Sequence, residues 1–429
     1  MHDPLQVYEH GVLRIEANGL TQPAFDALVR FNQGHQDRFF AVRHRSLKFG
    51  SYVGVLRVGG VTIEVLPKAD RNGSGDKKKW RAALIDMLRV CGYLRLAAAS
   101  TAHLELRRMS LFDLYMEAFL SHVRSLLYHG LVRRYRCATG NLTVLRGRLL
   151  FGRNTAENAV HRERFFTVHE RYDRNNKFNQ ILHLAVRIVS TSARSSTVRG
   201  MADDLLLWME DIEDSPVSAE TFSHLRFDRT TERYRSAMAL ARMIILNYQP
   251  DVRSGRNHVL AILFDMNELF EEYILRQLKK ATYGQSIKVQ GQHSQRFWHA
   301  GSTARNIRPD ILITIPSAAG PETLVLDTKW KVPAGIFPDD EDLRQVYAYN
   351  LQCNAARGFL VYPRVDKRPD VKGHFEPSAH AQANHSCAMW FVDLFDGDKL
   401  RRDIGCVMLK ELLPAGSSPL TGCEPPRED

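Results

Sequence analysis

The fold of this chain is decided by two stretches of sequence, RPDILI at residues 308–313 and LVLDTKWK at residues 324–331. Both are rich in Ile, Leu and Val, and the segment between them contains the small residues, Gly and Pro that reverse a chain. They therefore predict a β-hairpin, in which Asp310 near the start of one strand lies close to Asp327 near the end of the other. The two-residue period of a strand is expected to point Thr328 away and to return Lys329 to the same face.

Two carboxylates held side by side repel each other unless a cation lies between them, so the hairpin is a candidate metal site. A hard divalent ion such as Mg²⁺, with Mn²⁺ as the alternative, takes carboxylate and carbonyl oxygens and keeps waters, one of which can become a nucleophile. Lys329 would orient or deprotonate that water, or stabilise the charge that develops on a phosphate. The plainer interpretation is a surface hairpin with a solvated salt bridge.

The flanking segments favour the metal site. Residues 264–275 predict an amphipathic helix from which Glu271 can reach inward, and residues 340–350 predict a second helix that carries Gln345. Residues 358–363 then predict a buried strand. The order is therefore helix, strand, turn, strand, helix and strand.

This order, with a helix Glu, Pro-Asp, Asp-x-Lys and a Gln on the next helix, resembles the PD-(D/E)xK nucleases. The resemblance implies a restriction-endonuclease-like core with a metal-dependent phosphodiester hydrolase site. In this chain the signature corresponds to Asp310, Asp327 and Lys329, with Glu271 and Gln345 as supporting catalytic positions. The metal ligands are expected to be Asp310, Asp327 and Glu271.

Composition sets broad limits on the class of protein. The chain has 429 residues, of which 44% are hydrophobic, which is enough for two or three domains with sizeable cores. It shows neither a run of about 18 apolar residues nor a secretory signal, so we expect a cytoplasmic protein with no membrane partner. The six cysteines form no C-x-x-C pair, and buried or free thiols are expected.

The net charge of +11 suggests an acidic partner, and nucleic acid is the first candidate. Much of the excess lies between residues 130 and 174, which contain ten arginines against four acidic residues. Arginine suits bidentate contact with phosphate or carboxylate. This Arg-rich segment could therefore contact DNA or a protein partner, or be a solvated surface with internal ion pairs.

The predicted secondary structure changes along the chain. The first hundred residues predict strands, including a hairpin across Gly59-Gly60. Five helices are predicted at residues 80–93, 111–127, 176–189, 203–211 and 232–248. The polar loop at residues 69–79 lacks the spacing of a phosphate loop, so no nucleotide is expected to bind this chain itself. We therefore predict a multidomain α+β or α/β protein with four parts: a β-rich N-terminal domain (1–105), a helical, Arg-rich middle region (106–255), a PD-(D/E)xK nuclease domain (256–412) and a disordered tail (413–429).

Several motifs outside the nuclease core follow the layout of the McrC family, to which the chain is similar over about residues 10 to 400. They are YVGVL at 52–56, IEVLPK at 63–68, LRGR at 145–148, DRNNKFNQIL at 173–182, Arg233-Tyr234, and Phe270-Glu271 with the nuclease signature. The resemblance implies the nuclease subunit of a 5-methylcytosine-dependent restriction system that works with McrB, a GTP-hydrolysing AAA+ motor. It also implies that the N-terminal part docks on the motor and stimulates its GTPase, while the C-terminal domain cuts DNA.

Two alternatives stay open at this stage. One is a stand-alone PD-(D/E)xK nuclease of DNA repair or recombination. The other is a non-catalytic adaptor that activates an NTPase and retains the nuclease fold as a relic. The intact Asp310, Asp327 and Lys329 argue against the relic.

Overall fold

The structure is a computed structural model, and it describes the chain in ten ranges. These are residues 4–15, 19–68, 76–94, 110–193, 195–250, 258–317, 320–333, 335–365, 367–376 and 385–413. The predicted disordered tail, apart from residue 413, lies outside the described residues.

The N-terminal part combines short strands with two helices. Its elements are β1 (Leu5–Tyr8), β2 (Val12–Arg14), α1 (Gln22–Gly34), β3 (Phe40–Arg43), β4 (Ser46–Phe49), β5 (Tyr52–Val58), β6 (Val61–Leu66) and α2 (Lys77–Val90). Strand β6 lies between β1 and β5, and β4 lies between β2 and β3. The hairpin predicted across Gly59-Gly60 is confirmed, and Gly59 has a φ of 51°, a backbone conformation that favours glycine.

The middle part is mainly helical. Its elements are α3 (Leu111–Tyr128), β7 (Arg134–Leu142), β8 (Arg148–Leu149), α4 (Phe151–Glu157), β9 (Phe165–Asp173), α5 (Lys177–Ser192), α6 (Ser196–Leu207), α7 (Ala219–Ser223), a 3₁₀ turn (Glu232–Tyr234), α8 (Arg235–Leu246) and β10 (Tyr248–Gln249). The five predicted helices are present. The helix predicted to begin at Asp203 begins at Ser196 instead, because the Ser195 side chain accepts a hydrogen bond from the Val198 N–H and caps it there.

The C-terminal part contains the predicted nuclease segment. Its elements are β11 (Val259–Asp265), α9 (Met266–Ala281), β12 (Lys288–Gly291), β13 (Gln295–Ala300), β14 (Thr303–Ile307), β15 (Ile311–Ile315), β16 (Glu322–Thr328), α10 (Asp340–Gln352), β17 (Arg357–Pro363), β18 (Val371–His374), β19 (Ser386–Val392), β20 (Phe395–Asp396), β21 (Lys399–Leu400) and α11 (Ile404–Leu412).

A six-stranded sheet with the order β12-β15-β16-β17-β19-β18 organises this part. Strands β15 and β16 form the antiparallel hairpin predicted from the two quoted stretches, with Ile311 opposite Leu326. Strand β16 pairs in parallel with β17, and α10 makes the crossover between them. The central residues Leu324, Val325 and Leu326 are fully buried, as expected of a strand covered on both faces.

The chain forms two compact units, and neither is continuous in sequence. The first unit comprises Met1–Leu56, Val61–Leu94 and Leu263–Asp429, and the second comprises Arg57–Gly60 and Arg95–Ile262. The first unit therefore includes both the N-terminal strands and the sheet with the predicted site. The prediction of a mixed helix and strand protein with several parts agrees with this architecture.

Two expectations drawn from composition can be compared with the structure. Cys91, Cys137, Cys353 and Cys387 are free thiols as expected, whereas Cys406 is disulfide-bonded and departs from that expectation. None of the helices within the described residues combines the length and the apolar character that a bilayer crossing requires.

Candidate active site

The two predicted aspartates meet at one end of the β15–β16 hairpin. Asp310 directly precedes β15, and Asp327 is the last residue but one of β16. The Asp310 carboxylate accepts hydrogen bonds from the Thr328 N–H (2.7 Å) and from the Thr328 hydroxyl (2.9 Å). The expectation that Thr328 points away was therefore wrong, because its side chain reaches across the hairpin to the carboxylate at the neighbouring strand end.

Lys329 joins this pair, as the spacing predicted. It follows the end of β16, where its N–H donates to the Val361 carbonyl (2.9 Å) and fixes the backbone. Its Nζ lies 2.7 Å from Asp327 Oδ2 and 3.4 Å from Asp342 Oδ1. The contact with Asp327 is an ion pair rather than a well-directed hydrogen bond, since Oδ2 has no hydrogen-bond partner among the described residues.

Helix α10 brings a third set of polar groups to the same place. Gln345 accepts a hydrogen bond from Lys329 Nζ (3.1 Å) and donates to Asp327 Oδ1 (3.4 Å) and to the Tyr349 hydroxyl (2.7 Å). Tyr349 in turn donates to the Arg308 carbonyl (3.2 Å). The predicted supporting residue Gln345 therefore touches both the lysine and one of the carboxylates.

Sequence reasoning missed two participants on this helix, Asp342 and Tyr349. The buried Asp342 carboxylate contacts Lys329 and accepts a hydrogen bond from Lys331 Nζ (2.8 Å). A signal for both residues was present, because Asp342, Gln345 and Tyr349 follow the spacing i, i+3 and i+7 of one helix face.

Glu271 lies half-buried on α9, close enough to Asp310 for their charges to interact. The pKa of Glu271 is raised to about 7, mainly by burial and then by the Asp310 charge, against a hydrogen bond with Gln292 and the charge of Arg308. The Gln292 N–H donates to the Asp310 carbonyl (2.8 Å). Glu271 therefore interacts with Asp310 through their charges and through Gln292, which forms hydrogen bonds with both residues.

The electrostatics of the carboxylate pair are set by burial. The pKa of Asp327 is raised to about 6, mainly by burial and then by the charge of Asp310, against the opposing effect of Lys329. Burial also raises the pKa of Asp310, although the Thr328 hydrogen bonds oppose it. Burial acts to lower the pKa of Lys329, but Asp327 and Asp342 outweigh it and raise that pKa. The positive charge of Lys329 therefore does not fully offset the burial and mutual repulsion of Asp310 and Asp327.

The donor set fits a hard divalent cation. Within the described ranges, no group of three or more His, Cys, Asp or Glu side chains is arranged to hold a metal ion. Two carboxylates are nevertheless sufficient for Mg²⁺, which keeps several of its waters. Asp310 and Asp327 supply them, and the buried Asp327 Oδ2, which faces Lys329 Nζ, accepts no well-directed hydrogen bond from the described part of the chain.

Trp330, directly after the lysine, anchors the end of the motif in the core. Its indole Nε1 donates to Glu9 Oε1 (2.7 Å), and its ring packs against Phe270 and Trp80 at centroid distances of 5.2 and 6.2 Å. Because Trp330 is only 7% exposed, these contacts restrict the backbone that carries Lys329.

The Arg-rich segment divides into two groups. Five of its arginines form ion pairs within the second unit: Arg134 with Asp228, Arg136 and Arg171 with Asp173, Arg164 with Glu163, and Arg174 with Asp211. The other five are exposed and make no ion pair with any described residue: Arg133, Arg146, Arg148, Arg153 and Arg162. Internal ion pairs therefore account for half of the arginines in this segment. Its contact with DNA or with a protein partner stays a prediction.

Fold and site together define a mixed α and β protein in which a buried and a half-buried carboxylate meet a lysine at the strand ends of a six-stranded sheet. The sequence matches the family described as McrBC 5-methylcytosine restriction system component over residues 47–363. The chain belongs to this family, and the predicted resemblance to McrC is confirmed.

Two solved structures are similar to this chain. One is a refined half-complex from the tetradecameric assembly of Thermococcus gammatolerans McrB AAA+ hexamers with bound McrC. Its matching chain is 19% identical, with a TM-score of 0.64 and coverage of 96% of this chain and 100% of that one. This likeness shows a shared fold. The other, the McrBC complex of the same organism, is 22% identical, with a TM-score of 0.47 and coverage of 65% and 88%. No curated protein matches the sequence.

Proposed function

We propose that this protein is the metal-dependent DNA endonuclease subunit of a 5-methylcytosine-dependent restriction system. The observation that carries the proposal is the pair formed by the buried Asp327 and the half-buried Asp310, placed beside Lys329 at a strand end. Carboxylates with raised pKa values next to a lysine are typical of catalytic sites, whereas a structural salt bridge needs no second carboxylate. Membership in the restriction family agrees with this chemistry.

Each residue of the site has a distinct role in the proposed reaction. Mg²⁺, when bound, would polarise the phosphodiester and lower the pKa of a water molecule. Asp310 and Asp327 would hold the ion, and Glu271 would hold it directly or through water. Lys329 would stabilise negative charge on the phosphate and orient the attacking water. Gln345 positions Lys329, since its side-chain oxygen accepts a hydrogen bond from Nζ.

The protein is proposed to act with a GTP-hydrolysing AAA+ partner of the McrB type. The chain has no phosphate loop, so dependence on a nucleotide would have to come from another polypeptide. A similar fold occurs in the McrC chain bound to McrB hexamers. The N-terminal part is proposed to raise the motor's hydrolysis rate by ordering its active site, since a cytoplasmic nuclease needs activation that depends on recognition.

The test combines variants with omission of components. Asp310→Ala, Asp327→Ala and Lys329→Ala should each abolish cleavage of methylated plasmid in the presence of Mg²⁺, GTP and the AAA+ partner. Removal of one ligand or of the lysine leaves the reacting charges unbalanced, while the apolar strands retain the fold. The exposed Asp396→Ala is the matched control and should cut like the wild type.

Two outcomes would contradict the proposal. Cleavage at the wild-type rate by any of the three variants, with a native circular dichroism spectrum, would remove the site assignment. Vigorous cleavage of methylated and unmethylated plasmid by the chain alone would instead favour the stand-alone nuclease over the restriction subunit. Loss of cleavage when either GTP or the partner is left out would support the restriction function.

A further inference from the structure

A two-stranded ribbon projects from the first unit immediately before the catalytic Asp310. It consists of β13 and β14, and with its flanks it occupies residues 292–308, which we call the Arg–aromatic ribbon. This segment of 17 residues contains three arginines and no aspartate or glutamate. Its sequence therefore concentrates positive charge in the stretch of chain that leads into the site.

The base of the ribbon is tied to the site. The Gln292 N–H donates to the Asp310 carbonyl (2.8 Å), so the chain leaves and re-enters the core at the catalytic aspartate. At the other strand, Ile307 packs on a buried cluster that includes Leu312 and Tyr349. The ribbon is thus anchored by the residues that position the carboxylates, and its orientation is coupled to theirs.

The outer part of the ribbon exposes two large apolar side chains. Phe297 is 59% exposed and Trp298 is 52% exposed, although both are of the residue types that soluble proteins bury. The strand pairing is irregular between Arg296 and Trp298, which places Phe297 in a β-bulge. Bulges often occur beside active sites, where they redirect a side chain. Exposed aromatic rings at such a position are typical of a binding surface.

The three arginines of the ribbon lie at the surface and make no salt bridge with the residues that the structure describes. They are Arg296, Arg305 and Arg308. Arg308 lies near the carboxylates, since its charge lowers the pKa of both Glu271 and Asp310.

We propose that the Arg–aromatic ribbon enters a groove of duplex DNA beside the phosphodiester that is cut. Arg296 and Arg305 neutralise backbone phosphates, while Phe297 and Trp298 press against the bases. Arg308, at the foot of the ribbon, offsets the repulsion between the acidic site and the scissile phosphate. The major groove of duplex DNA is wide enough for a two-stranded β-ribbon. Arginines contact its phosphates, and aromatic side chains wedge between base steps and stack there.

The inference rests on the proposed function for the identity of the substrate, but its test does not require cleavage. Binding to a fluorescent 30-base-pair duplex would be measured by anisotropy in EDTA over a range of salt concentrations, with the chain alone and with its AAA+ partner. Arg296→Ala/Arg305→Ala should weaken binding and make the slope of log K against log salt shallower by about 1.8, at about 0.9 for each lost phosphate contact.

The aromatic pair should act differently from the arginines. Phe297→Ala/Trp298→Ala should weaken binding at least about fivefold while it leaves the salt slope unchanged, because stacking does not release counterions. Lys279→Ala/Lys280→Ala removes the same charge from an exposed helix end of the same unit, and Tyr283→Ala removes an exposed aromatic ring. Both controls should bind DNA like the wild type.

The outcomes separate this inference from the nuclease assignment. If Asp327→Ala abolishes cleavage and the ribbon variants bind duplex like the wild type, the ribbon inference is wrong and the proposed function stands. If the ribbon variants lose DNA while the carboxylate variants still cut, the nuclease site is wrong and the ribbon remains a DNA contact. Failure of the wild type to bind duplex in any condition, or loss of only the partner interaction, overturns the ribbon inference.

Discussion

Replacement of Glu9 by Gln should make the protein more stable, and the gain should grow as the pH rises. Glu9 is 4% exposed, and its Oε1 accepts hydrogen bonds from Trp330 Nε1 (2.7 Å) and from the Lys68 N–H (2.7 Å). Its Oε2 is buried without a hydrogen-bond partner among the described residues. The pKa of Glu9 is raised to about 7, mainly by burial and to a smaller extent by the charge of Asp265, against these two hydrogen bonds.

The magnitude follows from the difference between the folded and unfolded states. The ordinary pKa of this carboxyl is 4.5, so between about pH 4.5 and pH 7 the folded state holds a proton that the unfolded state has released. The contribution of Glu9 to the free energy of unfolding is therefore fully present below about pH 4.5 and is lost as the pH rises towards 7. At about 1.36 kcal/mol for each pKa unit, the loss is about 1 kcal/mol at pH 5 and about 3 kcal/mol at pH 8. Glutamine does not ionise at these pH values, so the variant does not lose this free energy.

The assay is urea denaturation of the wild type and Glu9→Gln at both pH values, followed by circular dichroism. The variant's advantage should increase by about 2 kcal/mol from pH 5 to pH 8. Glu411→Gln is the matched control, since Glu411 accepts a hydrogen bond of the same length (2.7 Å) from the Trp390 indole but is exposed. It should show no such increase. An equal advantage of Glu9→Gln at both pH values would refute the argument that burial of the ionised carboxylate is unfavourable.

Two further predictions concern the packing of a glycine and the hydrogen bonds of a buried tyrosine. Gly358→Ala should destabilise the protein by about 1–3 kcal/mol and slow cleavage, because the new Cβ would overlap Val346 Cγ1 and displace α10, which carries Gln345. The measurements are urea denaturation and plasmid cleavage. The control is Gly373→Ala, where the new Cβ meets only ordinary contacts. Tyr234→Phe should cost about 1–3 kcal/mol in the same denaturation assay, because the buried hydroxyl accepts from the Val132 N–H (2.8 Å) and donates to Asn179 (3.0 Å). The exposed Tyr135→Phe should change little, and an equal effect of the two tyrosine variants would contradict this account.

The hairpin and its flanking helices could be predicted from sequence because their signals are local. The apolar runs around Asp310 and Asp327 predicted two strands, and the small residues between them predicted the reversal. The error at Thr328 arose where local periodicity no longer applies. At the strand end, a hydrogen bond to the neighbouring strand determined the direction of the side chain.

The site was only partly predictable for the same reason. Asp310, Asp327 and Lys329 were identified from a short motif, and the structure places them together. Asp342 and Tyr349 were missed although they share a helix face with the predicted Gln345. Their contacts with Lys329 and with the Arg308 carbonyl are tertiary, and helical spacing alone does not specify them.

The main helices and strands, the order of the predicted catalytic motif and the concentration of arginine follow from the amino-acid order alone, because they depend on residues close together in the chain. Tertiary structure alone decided the burial that raises the pKa values of Asp327 and Glu9. It also decided the hydrogen bond between Trp330 and Glu9, which are 321 residues apart. Desolvation and long-range pairing depend on what surrounds a group in space, and the chain order near a residue does not specify those surroundings.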